Sequence, residues 1–87
     1  MTIQLKDAAR YERKPHPITA VEFTPAIAKE LPQRLVRLHL LGKWQVWNDI
    51  AQSWLTIEPG DFLRVDHERD LRPIRRSHFL NHYALEG

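Results

Sequence analysis

The tetrapeptide Glu58-Pro59-Gly60-Asp61 constrains this chain more than any other feature. Proline at the second position presets its own φ, and glycine at the third accepts the positive φ that a type II turn demands. Type II geometry splays the strands of a tight two-residue hairpin, so the turn reads as a corner into a new strand direction. Strand-like runs flank it: Lys43–Asn48 and Ser53–Ile57 before, residues 62–66 and 71–75 after. With Asp49-Ile50-Ala51-Gln52 as the hairpin loop, Trp44 falls opposite Ile57, Val46 opposite Leu55, and Trp47 opposite Trp54. Period-two alternation then gives one core face of Trp44, Val46, Leu55 and Ile57, and a more polar face of Gln45, Trp47, Trp54 and Thr56. A cross-strand tryptophan pair contributes roughly 0.5–1 kcal/mol to such a hairpin. Asp61 reads as a turn carboxylate that accepts backbone N–H bonds rather than as a catalyst.

The remaining elements follow from local chemistry. Ile18 to Phe23 reads as a strand, with Thr19, Val21 and Phe23 on one face and Ile18, Ala20 and Glu22 on the other. Thr24-Pro25 starts a helix, because a hydroxyl caps it and proline fits its first position. Pro32 breaks that helix, with a restart expected at Gln33-Arg34. The run 35–41 is read as a strand after a short helix. Asp66 to Asp70 is an all-charged loop, and Pro73 places the following strand at a sheet edge. Ser77 is expected to cap a last helix on which Phe79 and Tyr83 share one face. Residues 1–14 are expected to be an amino-terminal extension, a turn of helix or a frayed tail, and Pro15-His16-Pro17 an extended entry. The expected fold is α+β: one domain over 15–87, with a small twisted or partly closed antiparallel sheet of four or five strands and two short helices.

Only 87 residues are available, so the core is modest and stability alone is marginal or helped by oligomerisation. The chain has no cysteine, which excludes disulfides and thiolate zinc sites and fits a reducing, cytoplasmic compartment. The first residues lack the basic and apolar regions of a secretory signal, and no apolar run is long enough to span a bilayer. A soluble protein without membrane contact is expected. The net charge is +2, with eight Lys/Arg against four Asp/Glu in 1–43 and five against seven in 44–87. That is weaker than the continuous basic stripe of a dedicated nucleic-acid binder.

Three stretches carry a resemblance: Trp54-x-x-Ile57-x-Pro59-Gly60-Asp61-Phe62-Leu63, then Arg72-Pro73-Ile74-Arg75, then Phe79-x-x-x-Tyr83. Upstream, Tyr11-x-Arg13-Lys14-Pro15 and Thr19-Ala20-Val21-Glu22-Phe23 extend it over most of 11–83. Together they resemble small phage- and prophage-encoded proteins with a PGDYG-type motif. This chain has Phe62-Leu63 where the motif has tyrosine and glycine. The resemblance implies a phage-related setting and a small mixed fold, and it carries no activity or site residues across.

His78 and His82 stand at i, i+4 with His67, Glu68 or Asp66 as third-ligand candidates, but Phe79 and Tyr83 turning to the core leaves both histidines on solvated flanks. No metal or other cofactor is expected. No serine stands beside a positioned base, and Gly42, Gly60 and Gly87 form no phosphate loop, so no enzyme is expected. Trp47 and Trp54 beside arginine have the composition of a protein-binding hot spot, against the alternative that a neighbouring segment covers them as a second core. Arg72, Arg75 and Arg76, with Arg64 and Arg69, form the nucleic-acid alternative, with Phe62, Trp47 and Trp54 as stacking surfaces. Against it stands pairing of arginines 64, 69 and 72 with Asp66, Glu68 and Asp70. The expectation is a non-enzymatic phage- or prophage-type accessory protein. It would act in the host cytoplasm by binding a protein, a host factor or a second copy of itself.

Overall fold

The computed structural model describes residues 5, 7–12 and 17–85. Among the described residues, eight strands and two α-helices run in the order β1 (Ala9–Glu12), β2 (Ile18–Glu22), α1 (Pro25–Glu30), β3 (Val36–His39), β4 (Lys43–Asn48), β5 (Ser53–Ile57), β6 (Phe62–Arg64), β7 (Arg72–Ile74), α2 (Arg76–His82) and β8 (Ala84–Leu85). The α+β class is as expected. The strands divide between two open antiparallel sheets, where one was expected: a five-stranded sheet in the order β7-β6-β2-β1-β8 and a three-stranded sheet β3-β4-β5.

The corner at 58–61 makes this division. Gly60 has φ +98°, and the Asp61 N–H donates to the Glu58 carbonyl at 2.9 Å, which closes the turn. The corner is fastened to the end of β2, since the Gly60 N–H donates to the Phe23 carbonyl at 2.9 Å and the Phe23 N–H to the Asp61 carbonyl at 2.7 Å. The chain therefore leaves the small sheet with β5 and enters the large one with β6.

Strand β2 lies in the middle of the large sheet and is buried on both faces. Val21 and Phe23 join Leu63, Val65 and Leu71, the α1 residues Ile27 and Ala28 with Leu31 just after the helix, and Leu35, Val36, Val46 and Ile57 beside or within the small sheet. Ile18 and Ala20 on the opposite face pack with Phe62 and Phe79, flanked by Tyr11, Ile74 and Tyr83. The small sheet and α1 thus cover one face and α2 the other. In the second core the Phe62 and Phe79 rings stack at 3.8 Å between centroids, and Tyr83 stacks on Phe79 at 4.7 Å. Burying aromatic surface on both sides of a central strand is an economical way for a short chain to enlarge its core.

Thr24 caps α1 through Oγ1, which accepts the Ile27 N–H at 3.2 Å, and Pro25 opens the helix. After Pro32 the restart is one 3-10 turn over Gln33–Leu35. Ser77 does not cap α2: it lies inside the helix, and Arg75 occupies the cap position without a side-chain bond. The Asp61 carboxylate serves that end instead, with Oδ1 accepting the Arg76 N–H at 3.3 Å and Oδ2 the Glu58 N–H at 3.1 Å. Residues 9–12, expected within a frayed extension, form β1 and pair with both β2 and β8. Pro15-His16 and the rest of 1–14 other than 5 and 7–12 lie outside the described residues. Pro73 is on the edge strand β7, where its missing N–H costs no ladder bond.

Candidate binding grooves

The β4–β5 register is the one the spacing predicts, with Trp47 opposite Trp54, Val46 opposite Leu55 and Trp44 opposite Ile57. Val46 and Ile57 are fully buried, while Trp47 and Trp54 are half-buried on the other face, their rings edge to face at 5.5 Å. The pair is partly covered and partly open. Trp47 packs against the main core, yet both rings also line an open groove of about 560 Å³ with Arg34, Leu35, Asp49, Glu68 and Arg69.

Three separate segments build the groove's rim. Arg34, on the turn after Pro32, pairs with Glu68. Arg69 donates through Nε to Asp49 Oδ2 at 2.7 Å, and Trp47 Nε1 donates to Asp49 Oδ1 at 3.4 Å. Arg37 on β3 lies over Trp54, its guanidinium carbon 4.2 Å from the ring centroid, and donates through Nε to Gln45 Oε1 at 2.7 Å. Among the described residues both partners of Arg37 are neutral, and no carboxylate is paired with it.

The buried Asn48 holds the two loops of the rim together. Its Nδ2 donates to Asp70 Oδ1 at 2.8 Å and to the Leu71 carbonyl at 2.9 Å, while its Oδ1 accepts the Ala51 N–H at 2.8 Å. Backbone N–H groups of Asp49 and Ile50 both donate to the Arg69 carbonyl. The hydrogen bond from Arg69, followed by those from Trp47 and Gln52, holds the Asp49 carboxyl below its ordinary pKa. Burial pushes Asp70 upward, but bonds from Asn48 and Arg72 and the charges of Arg72 and Arg64 outweigh it and leave its pKa lowered.

The sequence candidates therefore separate. Trp47 and Trp54 share the first groove. Arg72 and Arg75 line a second, of about 470 Å³, with Arg64, Pro73, Ile74, His78 and Tyr83. Arg76 lines neither: it pairs with Glu22 at 3.3 Å and donates to the Gly60 carbonyl. Arginines 64, 69, 72 and 75 pair with Asp66, Asp49, Asp70 and Glu58. The expected charge lattice is present in part: Arg64 and Arg72 pair with Asp66 and Asp70, whereas Arg69 pairs with Asp49 of the hairpin loop and Glu68 with Arg34. Sequence reasoning missed Arg34, Asp49 and Glu68 as groove residues and Arg37 as the neighbour of Trp54, because only the tertiary fold brings their segments together.

The His78 and His82 rings lie 4.3 Å apart between centroids, tilted by 40°, and among the described residues no group of three or more His, Asp or Glu is placed to hold a metal ion. No helix among the described residues is long and apolar enough to cross a membrane. No family model, curated protein or solved structure matches the chain.

Proposed function

We propose that this protein is a non-catalytic binding module whose Trp47–Trp54 groove receives a segment of a partner protein. The observation that carries the reading is a half-buried tryptophan pair at the floor of an open groove, with Arg37 stacked on Trp54. Tryptophan and arginine are enriched in protein-binding hot spots. Tryptophan offers a large, rigid contact area with few rotamers to freeze, and the planar guanidinium of arginine stacks on rings and presents several directed donors. A groove of about 560 Å³ accommodates a few side chains of an inserted loop.

The rim defines the partner's chemistry. Arg34–Glu68 and Arg69–Asp49 are internally balanced, whereas Arg37 has neutral partners. The segment that fits carries an apolar or aromatic side chain for the tryptophan floor and a carboxylate for Arg37. A binding role rather than a catalytic one is supported by the carboxylates themselves. Asp49 is committed to Arg69 and Trp47 with a lowered pKa, the opposite of the tuning a general acid requires.

The resemblance to proteins with a PGDYG-type motif adds a phage or prophage setting, a host-cell cytoplasmic location and a host protein as the partner. The test is capture from bacterial host lysate with wild-type bait and a Trp54→Ala bait. A protein identified by mass spectrometry that binds wild type directly once purified, and not the variant, is the expected result. Equal recovery by both baits rejects the groove.

A further inference from the structure

The second groove has a feature that charge pairing alone does not explain. Arg64 and Arg72 are directly opposite each other on β6 and β7, and like charges in that position are destabilising. Each is held through Nε by an aspartate two residues along its own chain, Arg64 by Asp66 at 2.8 Å and Arg72 by Asp70 at 2.9 Å. Among the described residues neither guanidinium makes a further hydrogen bond. The aspartates therefore orient both forks and leave the terminal amino groups, the pair suited to bidentate contact with a tetrahedral anion.

Arg75 and His78 line the same groove. Among the described residues the Arg75 side chain is bonded only to Glu58, at 3.2 Å, with both side chains more than half exposed, so this ion pair is worth little and exchanges readily for a better acceptor. His78 contributes an exposed imidazole. Pro73, Ile74 and Tyr83 supply an apolar wall, and Tyr83 is held against Phe79 by ring stacking.

We propose that the groove between β7 and α2 is a phosphate-binding site in which Arg64 and Arg72 grip one phosphoryl group, Arg75 and His78 close on it, and the Pro73–Ile74–Tyr83 wall receives the base or sugar attached to it. The ligand class is a phosphate ester, either a free mononucleotide or a phosphate of a single nucleic-acid strand. The volume of about 470 Å³ suits a nucleotide-sized group. The three carboxylates nearby, Asp66, Asp70 and Glu58, keep the field small, so recognition rests on directed donors rather than on long-range attraction.

The test is amide chemical-shift titration of the uniformly 15N-labelled protein with adenosine, adenosine 5′-monophosphate and an eight-residue oligothymidylate. The site predicts saturable shifts confined to β6, β7 and α2 for the two phosphate-bearing probes and none for adenosine. Arg72→Gln and Arg75→Gln should each weaken binding at least tenfold with the spectrum otherwise native, while Lys29→Gln, the same charge change on α1, should leave it within twofold. Tighter mononucleotide binding assigns the free ligand, and tighter oligonucleotide binding assigns the strand; either supports the site. Shifts with no phosphate probe, shifts scattered over the surface, or equal weakening by Lys29→Gln overturn it.

Discussion

The side-chain amide of Asn48, at the end of β4, donates to the carboxylate of Asp70, which closes the turn before β7, at 2.8 Å. This bond links the hairpin loop carrying Asp49 to the charged loop carrying Glu68 and Arg69, and so sets the width of the tryptophan groove. Asn48 is buried, and its other bonds, to the Leu71 carbonyl and from the Ala51 N–H, satisfy groups that water reaches poorly. Asn48→Ala leaves those groups without partners and should destabilise the fold by about 2–3 kcal/mol. Urea denaturation of wild type and variant measures the difference.

Asp49 and Asp70 both have folded-state pKa values below the unfolded value. The unfolded chain therefore binds protons more readily, and these two carboxylates add stability that is present above about pH 4 and lost as pH falls through their folded values. Urea midpoints should be flat between pH 7 and 5 from these groups and fall below pH 4. Asp70→Asn should lower the midpoint at pH 7 and shrink the acid-side fall.

Gly60 has φ +98°, while a Cβ added there would meet nothing nearer than the Arg76 Cδ at 4.0 Å. The strain of substitution is thus in the backbone and not in packing. Gly60→Ala should cost about 1–2 kcal/mol and Gly60→Val more, since β-branching adds to the penalty at positive φ. Thermal unfolding should show Gly60→Ala melting roughly 4–16 °C lower. Partner binding by the folded fraction should be unchanged.

Phe79 and Trp54 should respond in opposite ways. Phe79 is buried beneath α2 and in ring contact with Phe62, Tyr11 and Tyr83, so Phe79→Ala should destabilise by about 3–5 kcal/mol. Trp54 is half-buried with its ring on the groove, and Trp54→Ala should destabilise by only about 1–2 kcal/mol. Denaturation of the two variants side by side separates a structural aromatic from a functional one.

How far these features could be read in advance depends on how local their causes are. The β4–β5 register follows from a four-residue loop and period-two alternation, and the corner from Pro59-Gly60, so both were legible from neighbouring residues. The cap of α1 is equally local in Thr24-Pro25. Strand β1 was not legible: Ala-Arg-Tyr-Glu has no strand pattern of its own, and it pairs on one side with β8 near the far end of the chain. Ser77 looked like a helix cap because nothing local competes with it, but Asp61 reaches that end from the corner. The tryptophan pair could be found by spacing, whereas its rim could not, because Arg34, Asp49 and Glu68 meet only after both sheets have formed.

The most direct test of the groove is the affinity of the purified partner for wild type, Trp54→Ala and Leu80→Ala, measured by titration calorimetry. Leu80 is an exposed apolar side chain on α2, outside the groove, and controls for loss of surface hydrophobe. A hot-spot tryptophan predicts at least about 30-fold weaker binding for Trp54→Ala, with a native spectrum and Leu80→Ala unchanged. Trp54→Ala binding within threefold of wild type would contradict the account.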